Sequence, residues 1–98
     1  MNQLCSVLAI QYPIIQGGMG NISSPMLVAA VSNAGGLGTL GCGTMTPAEV
    51  EERIVATKQL TQKPIALNVP INVNPYTKEL LQLAITHNIP VVSLFEGM

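Results

Sequence analysis

The sequence predicts an α/β fold with a parallel sheet, built from alternating strands and helices. Short apolar runs alternate with longer stretches of helical spacing, and the runs recur roughly 25 residues apart, enough for a strand, a helix and two loops. The runs are continuous rather than alternating, as expected for strands that are covered on both faces. The resulting order, β-α-β-α-β-α-β, gives either an open doubly wound sheet or an arc of a β/α barrel.

Four strands and three helices are predicted in order along the chain. The strands are the apolar runs Pro13–Gln16, Leu37–Gly41, Ile65–Val69 and Val91–Leu94. The helices are expected at about Pro25–Asn33, Pro47–Gln62 and Pro75–His87. A closed barrel typically takes about 250 residues, so under the barrel interpretation the 98 residues form the N-terminal fragment of one domain, about three and a half β/α units.

Each predicted helix follows the same start signal, a hydrogen-bonding side chain and then proline. The signals are Ser24-Pro25, Thr46-Pro47 and Asn74-Pro75. The first side chain of each pair can accept a hydrogen bond from an amide of the first turn, and proline suits the first helical position. Glu49 follows Thr46 by three residues, which predicts a capping box at the second helix. The Gly35-Gly36 pair is expected to end the first helix.

Helical periodicity predicts which side chains of the second and third helices face the core. In the second helix these are Val50, Ile54, Val55 and Leu60. In the third helix they are Leu80, Leu81, Ala84 and Ile85.

Composition and charge exclude several classes of partner. Hydrophobic residues make up 48% of the chain and charged residues 9%, and the segment Met1–Ala48 carries no charged side chain and no histidine. A formal net charge of −1 without a basic run argues against nucleic acid and against an anionic membrane. The longest apolar stretch, Met26–Val31, is far shorter than the roughly 20 residues needed to span a bilayer, and the N-terminus lacks the positive charge of a signal peptide. We therefore expect a soluble, cytoplasmic protein, and the spacing of Cys5 and Cys42 suggests neither a zinc site nor a disulfide framework.

Ligands of parallel α/β proteins bind beyond the carboxyl ends of the strands. In this sequence those ends are Gln16–Gly20, Gly41–Gly43, Asn68–Pro70 and Ser93–Glu96. Glycines dominate the first two, which allows the backbone to approach a flat ring or a phosphate, although the same glycines could serve only to form tight turns.

A small nicotinamide-binding Rossmann module is a less favoured alternative. Gly18-Met19-Gly20 partly imitates its glycine fingerprint, but that site also needs an acidic residue at the end of the second strand. The first acidic residue of this chain, Glu49, lies beyond that strand and is assigned to helix capping.

Two runs of the sequence resemble the start of the nitronate monooxygenase family, which also includes flavin-dependent enoyl-acyl-carrier-protein reductases. They are Tyr12–Met19, reading YPIIQGGM, and Ala29–Gly38, reading AAVSNAGGLG. The likeness continues through Thr57–Pro64, Leu67–Val69 and Ile89–Val92, so that it covers nearly the whole chain. The resemblance implies a partial TIM-type (β/α) barrel, with residues 1–98 as the first part of a flavin-binding domain.

The resemblance also implies non-covalent binding of FMN at the carboxyl ends of the strands. The implied cofactor-binding residues are Gly17, Gly18 and Met19 after the first strand, and Asn68 on the third. A thioether suits an aromatic face, and an amide can donate and accept at a ring edge. The alternatives are core filling for Met19 and a structural turn bond for Asn68.

No catalytic or metal-binding residue is predicted within the chain. The resemblance implies a phosphate site and a catalytic histidine in later parts of the barrel, so His87 is expected to be solvent-facing or helix-capping, and Cys42 to serve in packing. The chain departs from the family where Phe95 and Glu96 follow the fourth strand, since the family commonly has a glycine-rich turn there. These side chains would narrow the pocket, and we expect Glu96 to be a solvated charge.

The expected function is an FMN-dependent oxidoreductase that acts on a small molecule. One version oxidises alkyl nitronates with O₂. The alternative passes hydride from NAD(P)H through FMN to an enoyl-acyl-carrier-protein. A third hypothesis is an inactive truncated or structural fragment, which would self-associate through exposed strand edges and bind FMN weakly or not at all.

Overall fold

The computed structural model describes residues 24–96. Its elements are α1 (Pro25–Asn33), β1 (Gly38–Gly41), α2 (Pro47–Leu60), β2 (Ile65–Pro70), α3 (Thr77–Thr86) and β3 (Val91–Phe95). The three strands are parallel and lie in the order β1-β2-β3. The three helices and the last three strands predicted from the sequence are thereby confirmed. The strand predicted at Pro13–Gln16 lies outside the described residues.

The two faces of the sheet carry different sets of side chains. The helix face holds the main core, in which the strands contribute Leu40, Ile65, Leu67 and Val69 and the helices contribute Val28, Val50, Ile54 and Leu80. Leu37 and Ala66 pack with Val91 in a second, smaller cluster. Because successive side chains of a strand point to opposite faces, this cluster marks the other side of the sheet, which we call the inner face.

Helical periodicity was wrong about three of the eight predicted core positions in α2 and α3. Val55, Leu60 and Ile85 are 43%, 50% and 70% exposed. All three lie outside the narrow stripe of each helix that is buried. In that stripe, α2 buries Val50, Ile54 and Thr57, and α3 buries Leu80 and Ala84. Thr57 can be buried because its hydroxyl donates a hydrogen bond to the Arg53 carbonyl oxygen at 2.7 Å, which satisfies the polar group inside its own helix.

The first two predicted helix starts are confirmed. The Leu27 amide donates to the Ser24 hydroxyl at 3.1 Å. At α2, Thr46 and Glu49 form the reciprocal capping box. Hydrogen bonds from the Thr46 backbone and side chain hold the pKa of Glu49 below its ordinary value. The helix then ends at Leu60, two residues before the predicted end, because Thr61 is extended.

The third predicted helix start was wrong. Helix α3 begins at Thr77 rather than Pro75, and its N-cap residue, Tyr76, makes no side-chain cap hydrogen bond. Asn74 is instead buried, and its side chain binds backbone groups of two loops. A buried amide must satisfy both its donors and its acceptor, and here the neighbouring loop supplies the partners for the donors.

The run Ser32–Gly38, part of the sequence that resembles the family, forms the joint between α1 and β1. Gly35 has φ 102°, and the amides of Gly35 and Gly36 bind the carbonyls of Ser32 and Val31, which is the Schellman arrangement. At Gly38 an added Cβ would lie 2.1 Å from the Val28 carbonyl oxygen, so only glycine allows the helix this close to the strand. The buried Ser32 hydroxyl accepts from the Gly38 amide at 2.9 Å and donates to the Pro64 carbonyl at 2.8 Å.

None of the helices found between residues 24 and 96 is long and apolar enough to cross a membrane.

Candidate functional site

The carboxyl ends of the three strands lie side by side at one edge of the sheet. The register places Gly41 beside Asn68 and Asn68 beside Ser93. Asn68 and Ser93 each lie two residues after a member of the inner-face cluster, Ala66 and Val91, and therefore point to the inner face. A glycine, an amide and a hydroxyl thus form one row across the inner face, which we call the polar row.

Asn68 is the predicted cofactor-binding residue that the described structure includes. It is partly exposed, whereas its neighbours Leu67 and Val69 are fully buried on the helix face. Its carbonyl oxygen accepts from the Cys42 amide at 2.9 Å, which joins the end of β1 to β2. The amide therefore lies at the edge formed by the carboxyl ends of the strands, on the face away from the helices, and its contact with a cofactor stays a prediction. The other predicted residues, Gly17, Gly18 and Met19, lie outside the described residues.

Ser93 was not singled out by the sequence as a site residue. Its position in the polar row follows from the register Asn68↔Ser93, and its side chain is exposed. A comparison of the predicted strands could have identified it. When Ile65–Val69 and Val91–Leu94 are aligned at their first residues, Asn68 and Ser93 differ by only one position.

Cys42 follows the polar row but belongs to the helix face. It is fully buried in the main core, as the predicted packing role requires. Burial raises the pKa of the Cys42 thiol to about 11, an effect that a backbone hydrogen bond from Asn68 partly offsets. Because the thiolate is the nucleophilic form, Cys42 is not a nucleophile near neutral pH.

The loops that follow β1 and β2 are joined by Asn74. Its side chain is 2% exposed. The amide nitrogen donates to the carbonyl oxygens of Gly43 and Met45, at 3.0 and 3.1 Å, and the amide oxygen accepts from the Tyr76 amide at 2.8 Å. The sequence predicted a helix cap at Asn74, because a single sequence carries no sign of which loop an amide will reach.

The end of β3 is bulkier than the ends of its neighbours. Phe95 lies beside Pro70, and its carbonyl oxygen accepts from the Ile71 amide at 2.8 Å, so the pairing of β2 with β3 reaches into the loop after β2. Phe95 alternates with Ser93 along the strand and shares the inner face with it. Glu96 is exposed, as predicted.

His87 lies in the helical layer. It occupies the C-cap of α3, so the predicted helix-capping position is confirmed. The imidazole is also partly exposed, with 20% of its side chain accessible, and its Nε2 lies 3.0 Å from a carboxylate oxygen of Glu51 on α2. Among residues 24–96, no three histidine, cysteine, aspartate or glutamate side chains lie close enough to hold a metal ion.

A parallel sheet with helices on its outer face, and with polar groups gathered at the carboxyl ends of its strands on the inner face, is the arrangement of a TIM-type β/α barrel. The described strands form part of such a barrel. The sequence profile of the family described as nitronate monooxygenase matches residues 2–98, and the chain belongs to this family.

Known proteins of similar sequence or structure agree with both statements. A probable nitronate monooxygenase from Staphylococcus aureus is 47% identical over 68 residues, which cover 69% of this chain and 19% of the relative. The (3aS,4S,5R,7aS)-5-hydroxy-7a-methyl-1-oxo-octahydro-1H-indene-4-carboxyl-CoA dehydrogenase from Rhodococcus jostii is 47% identical over 66 residues, which cover 67% of this chain and 19% of the relative. The structure of FabK from Thermotoga maritima matches with a TM-score of 0.92 at 37% identity, over 99% of this chain and 31% of that chain.

The chain thus spans about a fifth of the two relatives matched by sequence and about a third of FabK. The match to FabK over nearly all of the present chain favours the arc of a barrel over the doubly wound sheet that the sequence left open.

Proposed function

We propose that the protein carrying this chain is an FMN-dependent oxidoreductase that oxidises alkyl nitronates with O₂. The observation that carries the proposal is the polar row, in which a glycine, an amide and a hydroxyl share the inner face at the ligand-binding edge of the sheet. Membership of the nitronate monooxygenase family supports this reaction. When bound, the flavin supplies the electron chemistry, and the protein orients it and controls its surroundings.

The described residues fit one side of a flat, polar-edged ring. Gly41 is buried at the end of β1, and its backbone carries no side chain that would hold a ring away from the strand. The Asn68 amide has two donors and an acceptor that suit the carbonyl and N–H groups at the edge of an isoalloxazine. Cys42 points to the opposite face and stays protonated, so within residues 24–96 no reactive thiol faces the polar row.

A thioester substrate is the second candidate. The Rhodococcus relative is named as a dehydrogenase of a carboxyl-CoA, which is a thioester, and it is as similar to this chain as the Staphylococcus protein. This similarity supports the second candidate function, an FMN- and NAD(P)H-dependent enoyl-acyl-carrier-protein reductase.

Two assays on the full-length gene product distinguish the candidates. Oxygen consumption with a propyl nitronate is expected, together with no oxidation of NAD(P)H that depends on an enoyl thioester. The opposite pattern would replace the first function with the second. A purified protein that retains no flavin and takes up none on titration with FMN would contradict both.

A further inference from the structure

The loop between β1 and α2 depends on a side chain from outside it. After Cys42, the chain turns with Gly43 at φ 51° and the Met45 amide bound to the Cys42 carbonyl at 2.9 Å. The carbonyl oxygens of Gly43 and Met45 both point to Asn74, which lies in the loop after β2. A primary amide carries two N–H donors on one nitrogen, so a single side chain serves both carbonyls.

The same side chain also fixes its own loop. The Asn74 oxygen accepts from the Tyr76 amide at 2.8 Å, and the Asn74 backbone amide donates to the Pro70 carbonyl at 2.9 Å. Since Asn74 is 2% exposed, water cannot readily replace these partners, and losing one leaves a buried polar group unsatisfied.

These two loops follow the two strands that carry Gly41 and Asn68 in the polar row. We propose that Asn74 is a positioning residue of the cofactor site: by binding the β1–α2 loop to the β2–α3 loop, it fixes the spacing between the Gly41–Gly43 backbone and the Asn68 amide. This inference rests on the proposed function for its consequence in flavin binding. The fixing of the loop itself does not.

Two substitutions separate the donor role of the Asn74 side chain from its acceptor role. Asn74→Asp keeps the acceptor for the Tyr76 amide but removes both donors, and places a carboxylate against two carbonyl oxygens. Asn74→Ala removes donors and acceptor together. The matched control is Ser32→Ala, which also removes a buried side chain that joins two backbone groups, but at the amino end of β1.

The first measurement is the rate at which the Cys42 thiol reacts with a disulfide reagent in the folded full-length protein, with every cysteine other than Cys42 replaced by serine in all variants. Cys42 is buried beside the loop that Asn74 holds, so opening of that loop exposes it. Both Asn74 variants are expected to react about tenfold faster than the rise in their globally unfolded fraction accounts for, as the loss of buried hydrogen bonds implies. The unfolded fraction comes from denaturant unfolding of the same samples.

Ser32→Ala is expected to react only as fast as its unfolded fraction predicts. If the Asn74 variants do the same, their effect is one of general stability and the proposal is overturned. Equal rates for wild type and Asn74→Asp would also overturn it, because the aspartate cannot donate to the loop.

The second measurement is the visible circular dichroism and the FMN affinity of the flavin-loaded, full-length protein. Asn74→Asp is expected to change the flavin spectrum and to weaken FMN binding about tenfold, while Ser32→Ala leaves the spectrum unchanged. An unaltered spectrum and affinity in Asn74→Asp would refute the role in the cofactor site. If the wild-type protein binds no flavin, the proposed function fails, and the thiol measurement alone decides whether Asn74 fixes the loop.

Discussion

At the scale of single residues, the polar row separates a group that can meet a ligand from one that cannot. Asn68 and Cys42 lie next to each other across β1 and β2 and are joined by a backbone hydrogen bond. Asn68 points to the inner face and is partly exposed, whereas Cys42 points into the core. The alternation of strand side chains therefore places the amide on the inner face, where a ligand can reach it, and the thiol in the core, where it serves in packing.

Replacing Asn68 by alanine is expected to weaken FMN binding by about tenfold in the full-length protein, because a hydrogen-bonding group at the ring edge is lost. Fluorescence titration with FMN measures the affinity. Asn33→Ala is the control: Asn33 is another asparagine that binds backbone and side-chain groups, but its partners Leu60 and Thr61 lie at the far end of α2. Equal affinity in Asn68→Ala and wild type would remove Asn68 from the site.

The Cys42 thiol is expected to lower the stability of the fold as the pH rises through the alkaline range. Its pKa in the folded chain is about 11, above the ordinary value of 9.0, so folding favours the protonated thiol. The stabilisation is complete below pH 9 and is lost as the pH rises from 9 towards 11. The free energy of unfolding of wild type should fall over this range more steeply than that of Cys42→Ala. Parallel curves for the two proteins would show that the thiol does not titrate differently in the folded chain.

At the scale of elements, the joint between α1 and β1 depends on Gly38, which has no side chain. Gly38→Ala is expected to destabilise the chain by about 1–3 kcal/mol, the usual range for overpacking, because the new Cβ meets the Val28 carbonyl at 2.1 Å. Urea unfolding measures the change. Adding Ser32→Ala should not restore stability, since the closest obstacle is backbone rather than the Ser32 hydroxyl. Recovery in the double variant would place the clash at the hydroxyl instead.

The end of α3 uses a left-handed residue that is not glycine. Asn88 has φ 56°, and the Ile89 amide closes the helix by binding the Ala84 carbonyl at 2.8 Å. Asn88→Gly is expected to keep or slightly raise stability, while Asn88→Ala should lower it by about 1 kcal/mol, since a Cβ disfavours this conformation. Thermal unfolding of the two variants tests the order. Greater stability of the alanine variant would show that this conformation is not maintained.

At the scale of the whole molecule, β3 is the last strand of the sheet within residues 24–96 and pairs there with β2 alone. It contains no charged residue, and its side chains Leu94 and Phe95 are 50% and 38% exposed. Uncharged, apolar edges of this kind add strands from other chains. We propose that the 98-residue chain, taken alone, self-associates through this edge.

Sedimentation of the 98-residue chain is expected to show a rise in mean mass with concentration, and Leu94→Lys should suppress it. Ile85→Lys is the matched control, because Ile85 is an equally apolar and more exposed side chain on a helix that offers no strand edge. A wild-type monomer at all concentrations, or equal suppression by both lysines, would contradict association through β3.

The sequence by itself determined the order of the elements, the capping of α1 and α2, and the family. These features depend on local chemistry: caps, prolines and apolar runs act within a few residues of themselves. The same local signals predicted Asn68 at the end of a strand, where the structure places it.

Only the tertiary structure decided which strand ends meet, which stripe of each helix is buried, and what Asn74 binds. Val55 and Ile85 are as apolar as their buried neighbours, and Asn74-Pro75 looks like a helix start as good as Ser24-Pro25. What separates them is the position of other segments: the sheet contacts only a narrow stripe of each helix, and the carbonyls of Gly43 and Met45 come within reach of Asn74 only once β1 and β2 are paired. Contacts between residues distant in sequence form only in the folded chain, so no local pattern records them.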